Sequence, residues 1–389
     1  MQGDTDLVSE ALSIPFNRAA RAGEEQSNID RAIEGGHLAA DGPFTKQCAE
    51  WLGAQLGSPV LLVHSCTAAL EMAAILSDLG PGDEVVMPSY TFVSTANAFV
   101  TRGATPVFVD IREDTLNVDV AALGKAITPN TRAIVPVHYA GVACDMAEIM
   151  KLAEDSDLTV IEDAAQGLLS SANERPLGTF GQLGALSFHE TKNVTCGEGG
   201  ALIVNEPSLM ERAEIIREKG TDRSKFFRGE TDKYTWMDIG SSHAMSELSA
   251  AFLSAQLEAA QRLTERRLEI WGQYHEGFQA LEDAGHLRRP VVPASCIHNA
   301  HMYYLLLNSG KERDELIGYL RTKGIGAVFH YIPLHSSPGG ERYGRAVGSM
   351  RVTEAVSEGL IRLPLWPELA DSEVGRVIGE VREFCGQAT

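Results

Sequence analysis

Lys192 lies in the run Ser187-Phe188-His189-Glu190-Thr191-Lys192-Asn193, downstream of Ile161-Glu162-Asp163-Ala164-Ala165-Gln166 and just before Gly197-Glu198-Gly199-Gly200. An amine, a carboxylate and a hydroxyl in this order suit one chemistry. A lysine amine condenses with a cofactor aldehyde, and a carboxylate at a strand end pairs with a pyridinium nitrogen. That pairing keeps the ring protonated, so it withdraws electrons from a carbanion. Ser187, ahead of the lysine, is available to a cofactor phosphate. Singly, a loop lysine is most often a solvated charge and a strand-end acid most often a helix cap. Together they read as a pyridoxal phosphate site with Lys192 and Asp163 as the catalytic pair.

A second cluster supports the first. His64-Ser65-Cys66-Thr67-Ala68-Ala69-Leu70 follows an apolar run and opens a helical pattern. Small residues and hydroxyls at a helix start expose backbone N–H groups to a phosphate, and the helix dipole favours its charge. Past the next apolar run, Phe92 is the candidate to stack on the pyridine face. Gln166, three residues beyond Asp163, is placed to reach the cofactor's phenolic oxygen. No G-x-G-x-x-G fingerprint is present, and Gly178, Gly181 and Gly184 read as turn residues.

These groups need a frame. Apolar, β-branched runs at 60–63, 84–87, 105–109, 133–137, 158–163, 185–188 and 201–204 alternate with helical patterns. They predict a seven-stranded, mostly parallel α/β sheet covered on both faces by helices. Asp163 and Lys192 then follow the carboxyl ends of neighbouring strands, where open α/β sheets bind ligands. Residues 245–284 are helix-periodic, with Leu248, Ala251, Leu253 and Leu257 as an expected buried stripe. They lead into a smaller α+β domain with elements at 302–307, 313–323, 325–331 and 371–385, giving domains of 1–260 and 261–389.

Composition bounds the function. A hydrophobic fraction of 44%, a charged fraction of 22% and the absence of a fixed repeat describe an ordinary globular chain of 389 residues. A net charge of -20 argues against nucleic-acid or anionic-membrane partners, which need surface Lys and Arg in excess. The opening Met1-Gln2-Gly3-Asp4 lacks a leader pattern, so a cytoplasmic location is expected. Six scattered cysteines show no C-x-x-C spacing, so free thiols and no metal site are expected.

At the motif level the chain resembles the DegT/DnrJ/EryC1/StrS group of sugar aminotransferases. The resemblance runs from Ile14-Pro15-Phe16 to about Leu365, through PSYTFVSTANAF, VPVHYAGVAC, EDAAQG, SFHETKN, DKYTW, DIGSS, NAHMYY and FHYIPLH. It implies fold type I, the aspartate aminotransferase-like architecture of pyridoxal phosphate enzymes. It makes Lys192 the lysine that holds the cofactor, Asp163 the pyridinium partner, Gln166 the phenolate contact and Phe92 the ring stack. Cys66, Thr67, Ala68 and Ser187 fall at phosphate contacts. Cys66 stands where many members have Gly. Ser242 stands where many have an Asn that reaches the neighbouring subunit's phosphate, so a homodimer with shared sites is implied. Dehydratase relatives carry His at the lysine position, and Lys192 argues against that branch.

The implied substrates are a dTDP-linked 4-keto-6-deoxyhexose and L-glutamate. Tyr331, His335, Lys225, Arg228 and Lys233 are the candidates around the sugar nucleotide. Amination at C4 with galacto or gluco stereochemistry, amination at C3, and a cofactor-bound regulatory or sugar-binding protein all stay open at this point.

Overall fold

The computed structural model describes residues 12–387. The opening segment used for the localisation expectation lies outside them. Among the described residues no helix is long and apolar enough to cross a membrane.

The frame is an eight-stranded sheet in the spatial order Val60–Val63, Gly200–Val204, Leu183–Ser187, Thr159–Asp163, Thr131–Ile134, Glu84–Pro88, Thr105–Val109 and Arg345–Ala346. Gly200–Val204 runs antiparallel to both neighbours, and the other pairings are parallel. The expected seven strands are present, and the count is corrected to eight. The extra strand is two residues long and comes from the C-terminal part of the chain, so no local apolar run announces it. The longer strands are buried along nearly their whole length, because helices cover both faces.

The 245–284 segment forms three helices, Glu247–Glu258, Ala260–Gly277 and Gln279–Asp283. Ala251, Leu253 and Leu257 are buried as expected, but Leu248 is exposed. It sits in the first turn, off the face that Ala250, Ala251 and Leu253 press into the core.

A four-stranded sheet follows, ordered Leu287–Arg288, Tyr303–Leu307, Leu360–Leu363 and Val328–Phe329. Its antiparallel register sets Tyr304 opposite Arg362, and Val328 on the other side of Arg362. The helices Gly310–Thr322 and Asp371–Gln387 belong to this unit. Ile14, at the start of the described chain, packs into the same core as Ile270, Tyr303, Leu320 and Trp366.

Candidate active site

Strand alternation explains why two adjacent carboxylates end the Thr159–Asp163 strand. Successive side chains point to opposite faces. Glu162 is buried behind the sheet, where it accepts from the N–H groups of Gly178 (2.9 Å), Phe180 (2.6 Å) and Gly181 (2.7 Å). His138 completes its shell at 2.8 Å. The Cys144 N–H donates to His138 Nδ1, so Nε2–H is the donor to Glu162. The glycine-rich turn expected near 178–184 is thus tied to the strand by Glu162.

Asp163 faces the other way and lines a cavity of about 580 Å³. Thr95 Oγ1 donates to its Oδ2 at 2.7 Å, and the Ala165 N–H donates to Oδ1 at 3.1 Å. The Thr91 hydroxyl stands 2.8 Å behind Thr95. Both carboxylate oxygens are oriented, and each keeps a further lone pair for a donor from the cavity.

Lys192 enters the same cavity from the loop after Leu183–Ser187. Its N–H donates to His189 O, and its neighbour Asn193 is anchored to Asn299 O at 2.7 Å and to His301 Nδ1 at 3.1 Å. Asn193 presents its amide oxygen to the imidazole, so His301 Nδ1 carries the proton and Nε2 keeps its lone pair. Burial lowers the Lys192 amine below the usual lysine range, outweighing the opposing pull of Asp163, and Arg362 lowers it further.

Ser65, Cys66 and Thr67 line the cavity at the start of the Cys66–Leu76 helix. Ser65 Oγ caps that helix by accepting from the Ala68 N–H at 3.1 Å. Ala68 is therefore buried behind the wall with its N–H already used. Thr67 Oγ1 meets Ser94 Oγ at 2.8 Å. Burial pushes the Cys66 thiol well above the ordinary thiol range, which keeps it protonated and a poor nucleophile. All six cysteines are free.

Gln166 lines the cavity with its amide oxygen taken by the Ala140 N–H and its Nε2 donating to Tyr331 Oη at 3.3 Å. Phe92 lines it too and is 58% exposed, a large ring left open to solvent or to a ligand. Ser187 and Tyr331 complete the predicted residues that meet there.

Five candidates stand elsewhere. Lys225 pairs with Glu211 at 2.6 Å, and Arg228 pairs with Glu214 and Glu230 at 2.9 and 2.7 Å. His335 is held by Ser89 Oγ at 2.7 Å, with Glu354 at 3.4 Å. Ser242 is exposed and bridges to Glu218, and Lys233 is exposed. Sequence reasoning left out Thr95, His301, His330 and Arg362, which also line the cavity. Thr95 and His301 lie inside quoted motifs, whereas Arg362 lies on a strand that no expected element covered.

The chain matches the DegT/DnrJ/EryC1/StrS aminotransferase family over residues 20–382. It is 34% identical to the spore coat polysaccharide biosynthesis protein SpsC of Bacillus subtilis, over 95% of this chain and 97% of that one. Among solved structures, the aminotransferase TlmJ from Streptoalloteichus hindustanus superposes with a TM-score of 0.87 at 32% identity, covering 96% and 99% of the two chains. The pyridoxal phosphate form of the putative sugar aminotransferase Spr1654 from Streptococcus pneumoniae gives 0.88 at 26%, covering 97% and 99%.

A fold type I sheet with an amine and an oriented carboxylate at adjoining strand ends defines an aminotransferase. The chain belongs to the DegT/DnrJ/EryC1/StrS aminotransferase family, whose cofactor is pyridoxal phosphate. The donor set here fits that group: an amine, a carboxylate with free lone pairs, and a hydroxyl-lined helix start, all on one cavity.

Proposed function

We propose that this enzyme moves an amino group from L-glutamate to C4 of a dTDP-linked 4-keto-6-deoxyhexose, giving dTDP-4-amino-4,6-dideoxygalactose. The observation that carries the reading is the meeting of Lys192, Asp163, Ser187 and the Ser65–Thr67 helix start on one cavity in a member of an aminotransferase family. The sugar class draws support from the motif resemblance and from neighbours described as sugar aminotransferases. Bound there, pyridoxal phosphate supplies an electron sink and carries the amino group between substrates.

In this reading Lys192 holds the cofactor, yields to the donor amine, and then moves a proton off the donor Cα. In the second half it delivers a proton to sugar C4. Asp163 keeps the ring nitrogen protonated, Gln166 faces the phenolic oxygen and Phe92 covers one ring face. Cys66, Thr67 and Ser187 surround the phosphate, with Ala68 packed behind them. Tyr331 and His335 belong to the sugar side. Ser242, Lys225 and Arg228, remote from this chain's own cavity, serve the site of a second copy in a cytoplasmic homodimer. A division at residue 260 separates the cofactor domain from the small domain.

The sugar face that receives the proton decides between an axial and an equatorial amine. Incubation with L-glutamate and dTDP-4-keto-6-deoxyglucose, followed by NMR of the product, is expected to show an axial amine at C4. An equatorial amine, or nitrogen at C3, would overturn the galacto assignment. No turnover in cofactor-loaded protein would overturn the substrate class.

A further inference from the structure

His301 is 5% exposed, and its position is held from several directions. Its backbone N–H donates to Asn299 Oδ1 at 3.0 Å, and its carbonyl accepts from Arg267 at 2.7 Å. Asn299 in turn donates to the carbonyls of Gln166 and Leu168, both at 2.8 Å, so the segment is tied to the loop that follows Asp163. The imidazole spends its Nδ1–H on Asn193 Oδ1. Nε2 is left over. Among the described residues nothing is hydrogen-bonded to it, although the ring lines the cavity that holds Lys192.

Two observations assign that lone pair to the Lys192 amine. Lys192 and His301 meet again on a side chamber of about 10 Å³, lined also by Ser187, Asn193 and Asn299, which has room for one water at most. The other acceptors on the cavity are engaged. Gln166 Oε1 takes the Ala140 N–H, Ser65 Oγ takes the Ala68 N–H, and Thr191 Oγ1 meets His189 Nδ1 at 3.0 Å. Asp163 is oriented for the ring nitrogen, and Glu198 sits at the rim, its side chain 73% exposed and 3.6 Å from His189. His330 lines the main cavity but not the side chamber, its Nδ1 meets the Tyr139 hydroxyl at 3.0 Å, and its ring lies against Tyr331. Burial, helped by Lys192, Arg267 and Arg362, holds the His301 imidazole well below the ordinary histidine range. It is therefore a neutral acceptor.

The reaction needs such an acceptor because the amine is buried. Burial favours Lys192 as the free base, which suits it to take a proton from the donor Cα. When that C–H bond breaks, its electron pair passes to the bound cofactor and the proton forms a new N–H bond on Lys192. The lysine is then an ammonium in a site that disfavours charge. We infer that His301 is a positioning residue for Lys192, its Nε2 accepting a hydrogen bond from the amine and holding the ammonium until the proton is delivered. The inference rests on the reading that Lys192 moves the proton. His301 itself gains none. A fixed acceptor aimed where charge develops lowers the barrier without having to reorganise.

Two substitutions separate this role from a merely structural one. His301→Asn keeps a donor for Asn193 Oδ1 and removes the Nε2 acceptor, whereas His301→Gln places an amide oxygen near the Nε2 position and gives up the Asn193 contact. In cofactor-free protein, competitive labelling with dinitrofluorobenzene across pH reads the titration of the Lys192 amine, which faces Asp163, Cys66, Arg362, His301 and His330. The Asn variant is expected to titrate about one pH unit below wild type, because the ammonium loses its acceptor, and the Gln variant to return most of the way. In cofactor-loaded protein, NMR follows exchange of the α-hydrogen of L-glutamate with D2O. Exchange should be at least about 10-fold slower in the Asn variant and largely restored in the Gln variant. Thermal melting and borohydride labelling verify folding and cofactor attachment. Wild-type titration or wild-type exchange in the Asn variant overturns the inference, the result expected if the ring serves only to anchor Asn193. Equal losses in both variants overturn it too, since they would mean that the ring only packs. A wild type that does not exchange the α-hydrogen overturns the glutamate reading, and the amine titration then decides the place of His301 on its own.

Discussion

Asp163 is useful because of how its carboxylate is prepared. The Thr91 hydroxyl backs Thr95, Thr95 donates to one carboxylate oxygen, and the Ala165 N–H holds the other. A carboxylate oriented in this way presents its remaining lone pairs to the ring nitrogen. Asp163→Asn keeps the shape and removes the charge. Cofactor attachment to Lys192 should survive, and borohydride trapping followed by peptide mapping should still find the label on Lys192. The donor half-reaction, followed in a single turnover, should slow on the order of 100-fold or more. A rate equal to wild type would show that another acid holds the ring nitrogen.

Glu162 does for the element what Asp163 does for the reaction. Its carboxylate gathers three backbone N–H groups from the 178–181 turn and the imidazole of His138, all in a buried setting. The strand end is thereby clamped to the turn that leads into the Leu183–Ser187 strand, and so to the loop bearing Lys192. Glu162→Gln replaces one acceptor oxygen by a donor facing other donors, and should cost about 3 kcal/mol. Denaturant unfolding should show a lower midpoint, and the variant should lose cofactor more readily on dialysis. An unchanged midpoint would mean that the turn is held by its own packing. The Glu162-Asp163 dipeptide shows what was legible in the sequence: an apolar run ending in two acids marks both the strand and its functional end. The long strands share that legibility, since each is a continuous apolar run. Arg345–Ala346 and Leu360–Leu363 were not legible. The first is too short to have a pattern. In the second, Arg362 interrupts the apolar run, because its position lines the cavity rather than the core. His301 was visible within a motif, but only the pairing of Asn193 with its imidazole gives it a place beside Lys192.

At the scale of the whole molecule, one surface is unlike the rest. Phe227, Tyr234, Trp236, Met237 and Ile239 are all exposed within a short stretch, and Trp236 is 80% exposed. Exposed apolar clusters of this kind mark association surfaces. The stretch runs directly into Ser241 and Ser242, the second at the position read from the motif resemblance as reaching a neighbour's phosphate; it contains Arg228, and Lys225 lies just upstream. Those two basic residues are held by glutamates away from their own chain's cavity. A homodimer that buries this surface would carry the serines and the basic residues towards the other copy's site. The test is complementation between two inactive parents, Lys192→Ala and Ser242→Asp, the second placing a charge where a phosphate is expected. In a hybrid dimer, one site receives Lys192 from the second parent and Ser242 from the first. Random exchange of equal amounts should restore about a quarter of wild-type activity, since half of the dimers are hybrids with one intact site each. Subunit exchange is followed by mass spectrometry of the intact dimers. Exchange without any recovered activity, with both parents folded, would show that the two sites do not share this segment. Sedimentation of the wild type as a monomer would remove the dimer itself.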